Sequence, residues 1–542
     1  MISLYHTTDD RFSSYGIHHF IEKFGIPVEI NKPSSSGIVI EYGCKASGDY
    51  VITVQENEIT NTVRGKISLL SETIPVCEVP HDTGPGDEVI AYFESGTTRY
   101  PCITRTRQGI TLGIDIFRET GYLLSGHPDA IRASLDATTR QELASKPVVD
   151  VLENLLFEAI LAGCRERHIP LVQKSYWPDG KRFAVCLTHD VDEIKKTYQW
   201  ISRPLRFLAR GDFSGFKNQV YSFIQKIKGK EPYYTYDDII SIEQELGVKS
   251  TYFILKERGN ASLFSKKTWY LYGRNRSLQS PEMQALIHRL TANGDEVAIH
   301  GSFFSYKDPV LLNDETKELE HLIHEKVLGT RQHNLNLEVP ATWEYQVNAG
   351  LRYDTTLGFK DNIGFRWGTS FPFFPNTGEE PLPLLEIPLI IMDICLESRI
   401  DKIAYCLTLA DEVEHYHGVL TLLWHPPIFN MLEYPDARDI YIKINRHCKE
   451  KGAWITRARD IYAWLSLRNS NSFTSNYDRS TKTCTIVPYV TDQDYFFTLY
   501  LPAYSGCVIL SGNADIIKRD GNRVYIKARN QQETDEIIVG IT

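Results

Sequence analysis

The sequence predicts an α/β chain, with a (β/α) barrel in the middle, an α+β domain before it and a small β domain after it. Three observations predict this. Over residues 171–468, apolar strand-like runs alternate with helical patterns, as a mainly parallel sheet with crossover helices requires. Residues 1–170 mix short β-like runs with an amphipathic helical stretch. Residues 469–542 carry only short β-like runs, too few to be stable without docking on a larger body.

The 542 residues fit about three domains. Hydrophobic residues make up 42% and charged residues 24%, which excludes a disordered, collagen-like or coiled-coil chain. The formal net charge of −10 argues against a general nucleic-acid binder, which needs excess Lys and Arg. No stretch of about 18 uncharged apolar residues is present, so no transmembrane helix is expected. The opening MISLYHTTDD lacks the basic and apolar regions of a secretory signal. None of the ten cysteines forms a C-x-x-C pair. They read as reduced thiols of a cytoplasmic protein rather than a disulfide framework or a zinc ribbon.

In the first region, Gly37–Tyr42, Tyr50–Val54, Glu88–Phe93 and Ile110–Ile114 read as strands. Asp150–Cys164 reads as a helix, with apolar residues at helical spacing. In the second, strands are expected at 182–192, Lys249–Leu255, Gly294–His300, Arg352–Phe359, Leu384–Ile391 and Gly418–His425. Helices are expected over Asp237–Leu246, over the stretch from Pro281 to Gly294, capped by Ser280, and over Asp314–Leu328. In the third, residues 468–482 are polar and read as a loop. Strands follow at Cys484–Val487, Phe496–Leu501, Val508–Leu510, Arg523–Lys527 and Glu536–Ile541.

The candidate chemistry lies where apolar strands end, which is where α/β folds build their sites. Thr188-His189-Asp190-Val191-Asp192 places two carboxylates two residues apart. Such a pair can divide metal binding and proton transfer, or merely cap a helix. His300 follows the run Glu296–Ile299, and a neutral imidazole there can bind metal. Arg331 precedes His333, and its guanidinium can hold and orient a carboxylate. His425 emerges from the apolar run 420–424. Each of these, taken singly, is equally compatible with a hydrogen-bonded structural role.

Taken together and in order, the four motifs resemble the polysaccharide deacetylase family, the NodB-homology or carbohydrate esterase family 4 group. The resemblance covers residues 171–468 and implies a distorted (β/α) barrel of the NodB-homology type. It also implies a metal-dependent hydrolase that removes acetyl groups from N-acetylated sugars. By this resemblance Asp190 is the general base, Asp192 a metal ligand, His300 a second ligand, Arg331 the residue that holds the base, and His425 the general acid. The family's second motif has another metal-binding His four residues after the first, where this chain has Phe304. His333, beside Arg331, is the nearest substitute, giving Asp192, His300 and His333 as the metal set. Two imidazoles and a carboxylate suit Zn²⁺, Co²⁺ or Ni²⁺ better than Ca²⁺. More loosely, residues 1–170 resemble an N-terminal extension of some bacterial relatives.

Asp354, Arg366 and Trp367 lie in a glycine-rich stretch, 353–372, that reads as a sugar-lining loop, and Asp393 follows the strand run 384–392. Two other readings remain open: a non-catalytic carbohydrate-binding protein, which Phe304 favours, and a hydrolase of another C–N bond. The expected partner is an N-acetylated glycan or sugar precursor, lipid- or phosphate-linked. Residues 195–230 hold nine Lys or Arg against one acid, Asp212, with aromatics interleaved. That segment, at +8, is the expected contact with a phosphate-bearing substrate or an anionic membrane surface.

Overall fold

The computed structural model describes residues 2–33, 37–60, 62–69, 73–133, 135, 137–257, 271, 274–275, 277–376, 380–397, 399–489, 493–502, 506–529 and 535–542. Two compact units emerge: 1–182 with 367–369 and 464–542, and 183–366 with 370–463.

The second unit is a parallel sheet wound into a barrel. Its first strand, Ala184–Val191, is buried at all eight residues. A strand flanked by parallel neighbours and covered on both faces requires such an unbroken run. Thr251–Leu255 pairs with it on one side, Val419–Leu423 on the other, and Trp454–Thr456 pairs with its start. Beyond Thr251–Leu255 the order continues through Glu296–Gly301, Gly329–Gln332, Tyr353–Asp354 and Leu385–Glu386. Beyond Val419–Leu423 lies Leu389–Met392. The two edge strands are therefore successive pieces of one segment, Leu385–Met392, which pairs with both ends of the sheet and closes the barrel.

The single strand expected at Leu384–Ile391 is thus two short ones. Pro388 lies between them, and a proline has no N–H to give to a ladder. The strand expected at Arg352–Phe359 shrinks to Tyr353–Asp354. After Asp354, hydrogen bonding passes to side chains: Thr356 Oγ1 accepts from the Gln332 N–H and donates to Asp354. Around the sheet run helices that include Tyr236–Leu246, Pro281–Ala292, Pro309–Ile323, Lys402–His415 and Ala437–Glu450. The helix expected from Asp314 starts earlier, at Pro309. There Asp308 accepts from the N–H groups of Val310 and Leu311, and proline fits the first turn. That helix stops at His324, which takes a left-handed conformation.

In the first unit, a nine-stranded mixed sheet has a parallel half containing Ile2–His6, Ile38–Tyr42 and Tyr50–Val54, and an antiparallel half containing Glu88–Ser95 and Thr98–Thr106. The helix Val148–Glu166 covers the stretch read as helical from sequence. The C-terminal residues form two four-stranded sheets, largely antiparallel, around a core that includes Phe473, Ile486, Phe497 and Ile526. Leu171–Lys174 joins one of them, pairing with Tyr495–Tyr500. Within the polar stretch expected to be a loop, Ser472–Asp478 is instead a strand paired with Thr483–Tyr489. Its buried Phe473 supplies the one strongly apolar anchor that the composition obscured. A strand at Ala514–Asp520 was also not expected. All ten cysteines are free. No helix among the described residues is long and apolar enough to cross a membrane.

Candidate metal and acid–base site

Because the barrel strands are parallel, their C-terminal ends meet at one rim. Asp190 lies near the end of the first strand and Asp192 just past it. His300 lies near the end of Glu296–Gly301, Arg331 within Gly329–Gln332, and His333 directly after. Asp393 follows Leu389–Met392, and His425 follows Val419–Leu423 by two residues. A cavity of about 180 Å³ opens here, with Asp190, Asp192, His300, His333 and His425 on its walls.

Arg331 is completely buried, and its Nη1 donates to Asp190 Oδ1 at 2.8 Å. Its other donors are satisfied by Thr188 Oγ1 and by the carbonyl and hydroxyl of Thr355, while its guanidinium lies 4.6 Å from the centre of the Phe253 ring. The fork is fixed from every side. Burial alone would push the Asp190 carboxyl upward. The Arg331 charge, helped by His300 and His425, more than offsets this and holds Asp190 below the usual carboxylate range.

His300 Nδ1 lies 2.8 Å from the Arg331 carbonyl, an acceptor only, so this nitrogen carries the proton. Its Nε2 faces Asp192 Oδ1 at 3.2 Å and Asp190 Oδ2 at 3.5 Å. His333 Nδ1 lies 3.0 Å from Glu257 Oε2, and its Nε2 is 3.9 Å from Asp192 Oδ1. Both rings are thus held by one nitrogen and turn the other toward the same carboxylate. One ligand atom each from Asp192, His300 and His333 lies within 4.8 Å of the others. Asp192 Oδ1, at their centre, is buried and accepts no hydrogen bond among the described residues. A divalent cation fits that donor set, and the Asp/His/His chemistry suits a borderline-soft ion. Burial pushes the His333 imidazole down, which favours the neutral, ligating form. Burial would lower His300 too, but Asp190 and Asp192 hold it up.

In the same cavity, His425 Nδ1 lies 2.8 Å from Asp393 Oδ1, and its backbone N–H donates to Asp393 Oδ2. Burial would lower this imidazole. The Asp393 carboxylate overrides that and raises it to about 9. His189, the remaining polar residue of the first motif, is structural: buried, it lies between the Trp424 carbonyl and Glu243.

The structure does not bring Asp354, Arg366 or Trp367 to this cavity; none lines it. Asp354 is fully buried, accepts a hydrogen bond from the Thr356 hydroxyl, and is pushed up to about 6 by burial. Arg366 donates to the Gly358 carbonyl, and Trp367 is buried and groups with the first unit. In their place Arg274, Asn334 and Lys360 supply polar groups. Arg274 Nη1 lies 3.0 Å from Asp192 Oδ2. Sequence reasoning missed Arg274, Lys360 and Glu257. Glu257 follows the strand Thr251–Leu255 by two residues, so the strand-end rule that found Asp192 would have found it as well.

The second unit is thus a barrel of parallel strands with its Asp, His and Arg residues gathered at one rim. No family model matches the chain, and no curated protein does. Solved structures similar to it include one described as a polysaccharide deacetylase from Mycobacterium smegmatis, at 18% identity over 54% of this chain and 93% of that one, with a TM-score of 0.36. A second, described in the same way, comes from Pseudomonas aeruginosa PAO1, at 13% identity over 54% and 93%, with a TM-score of 0.34. A third, a carbohydrate deacetylase, is matched at 8% identity over 99% of this chain and 98% of its own, with a TM-score of 0.37.

Proposed function

We propose that the chain is a metal-dependent N-deacetylase acting on an N-acetylated glycan or sugar precursor, lipid- or phosphate-linked, with zinc as the ion. The observation that carries this reading is the pairing of opposites in one cavity. Asp190 accepts from Arg331, His425 pairs with Asp393, and an Asp/His/His set lines the same cavity. Binding alone requires neither a base nor an acid.

Asp192, His300 and His333 would hold the cation, which when bound acidifies water and takes up charge on a carbonyl oxygen. Asp190 receives the proton of the attacking water on Oδ2, the oxygen that Arg331 leaves open. His425 gives the Nε2 proton to the departing amine nitrogen, and Asp393 stabilises the imidazolium until it does. The ten free cysteines fit a reducing compartment such as the cytoplasm.

Acetate release from N-acetylhexosamine oligosaccharides, with and without added Zn²⁺ after chelation, tests the reading. Metal-restored release is the expected result. Bound metal without release would point to another C–N bond. A second reading, a non-catalytic binder, is favoured by Arg274, which pairs with Asp192 and could neutralise it in place of an ion. Failure to bind metal at all would establish that second reading.

Two expectations concern the supporting residues. Glu257→Ala removes the group that orients His333, and metal affinity should fall about 10–100-fold in a competition titration with a chelator dye. Unchanged affinity would exclude His333 as a ligand held in this way. Asp393→Asn removes the charge that raises His425, leaving burial to lower it. Since the acid must carry its proton, the alkaline limb of kcat, expected near pH 9 from the raised imidazole, should move to lower pH. A limb that stays in place would assign it to another group.

A further inference from the structure

Two helices between the first and second barrel strands, Gln199–Ala209 and Phe213–Ile227, form a hairpin turned inside out. A surface helix ordinarily buries its apolar stripe and exposes its polar one. Here Gln219 and Ser222 are buried, with Gln219 Oε1 accepting a hydrogen bond from buried Lys196 Nζ at 2.6 Å. Phe213, Val220, Phe223, Ile224 and Ile227, which share one face of the second helix, are exposed, Phe213 at 76% and Ile227 at 71%. Ile201, Leu205 and Leu208 form the matching stripe of the first helix and are exposed as well. Of the twenty large apolar side chains exposed among the described residues, ten lie between Tyr198 and Ile227. That concentration marks a docking surface rather than scattered exposure.

Charge identifies the occupant. Residues 195–230 carry nine Lys or Arg and one acid in a chain whose formal charge is −10. The rest of the molecule is therefore repelled by an anionic surface while this hairpin is drawn to it. Two copies of the hairpin placed face to face would bring two strongly positive segments together, which disfavours a dimer through this face. An apolar stripe flanked by Arg and Lys is the chemistry that inserts at a lipid headgroup boundary.

We propose that the hairpin lies in the surface of an anionic bilayer, its apolar face among the acyl chains and Lys217, Lys228 and Lys230 among the headgroups. The inner side of the first helix faces the barrel. Arg203, Arg206 and Arg210 line a second cavity, of about 180 Å³, whose lining also includes Asp393, the partner of His425. Docking would thus hold the rim of the barrel against the lipid surface. The inference does not depend on the chemistry proposed above, and a failure of either leaves the other standing.

The test is co-sedimentation of the full chain with sonicated vesicles. Vesicles of phosphatidylglycerol mixed with phosphatidylcholine should carry down at least about tenfold more protein than phosphatidylcholine alone, and binding should weaken with added salt. The variant Leu205→Ser/Phe223→Ser/Ile227→Ser should lose binding about tenfold while keeping its thermal midpoint, since these side chains are exposed. Lys217→Glu/Lys228→Glu should abolish the preference for anionic lipid. Equal binding to both vesicle types, undiminished binding of the triple serine variant, or dimerisation through the hairpin without vesicle binding would each overturn the proposal.

Discussion

Asp190→Asn is expected to lower kcat on the order of 10²–10⁴-fold while the protein keeps its metal, because the change removes a proton acceptor and not a ligand. The amide oxygen can still accept from Arg331 Nη1, so the fork around the guanidinium survives and the fold with it. What disappears is the negative charge facing the cavity. Initial rates of acetate release together with metal content separate the two roles. An inactive variant that has also lost its metal would move Asp190 into the ligand set. Full activity would remove it from the mechanism.

Arg331→Met should have the largest effect on stability. Removing one partner of a buried ion pair strands the other charge, typically at a cost of about 3–5 kcal/mol. Arg331 is completely buried and Asp190 nearly so, so solvent compensates little. The pH dependence gives the sign. In the parent protein the Asp190 carboxyl sits below its unfolded value. Its contribution is therefore present above the unfolded value and fades as pH falls through the folded one. In the variant, burial is no longer opposed by Arg331 and the carboxyl moves up. The stability deficit should then be largest near neutral pH and smallest in acid. Urea unfolding at several pH values would show this, and a deficit independent of pH would mean that the loss is one of packing alone.

Much of this was legible in the sequence because it is local. The run 183–187 is apolar without alternation, which only a strand buried on both faces requires, and polar residues cluster where that run and three others end. The long helix before residue 170 and the short C-terminal strands were legible for the same reason. What escaped depends on partners distant in the chain. Tyr353–Asp354 is a strand only because Gly329–Gln332 lies beside it. Ser472–Asp478 looks like a loop until Thr483–Tyr489 pairs with it. Glu257 and Arg274 carry no periodic signal, and their importance comes from lying near His333 and Asp192. The choice of Asp354, Arg366 and Trp367 as sugar contacts rested on side-chain chemistry without knowledge of burial. The signal for the true start of the helix at Pro309 was present in Asp308-Pro309, an N-cap followed by proline.

The segment Leu385–Met392 has a consequence for how the protein could be switched off. As the only piece of chain among the described residues hydrogen-bonded to both edges of the sheet, it acts as the clasp of the barrel, and Asp393 is the next residue along. Each strand that carries a cation ligand is separated from this clasp by at least one other strand, whereas the strand before the proton donor pairs with it directly. Unfastening the clasp would silence His425 and leave Asp192, His300 and His333 together. Amide exchange that is fast at Ile390–Met392 and slow at Ala298–His300 would reveal a form of the protein that is fully loaded yet idle.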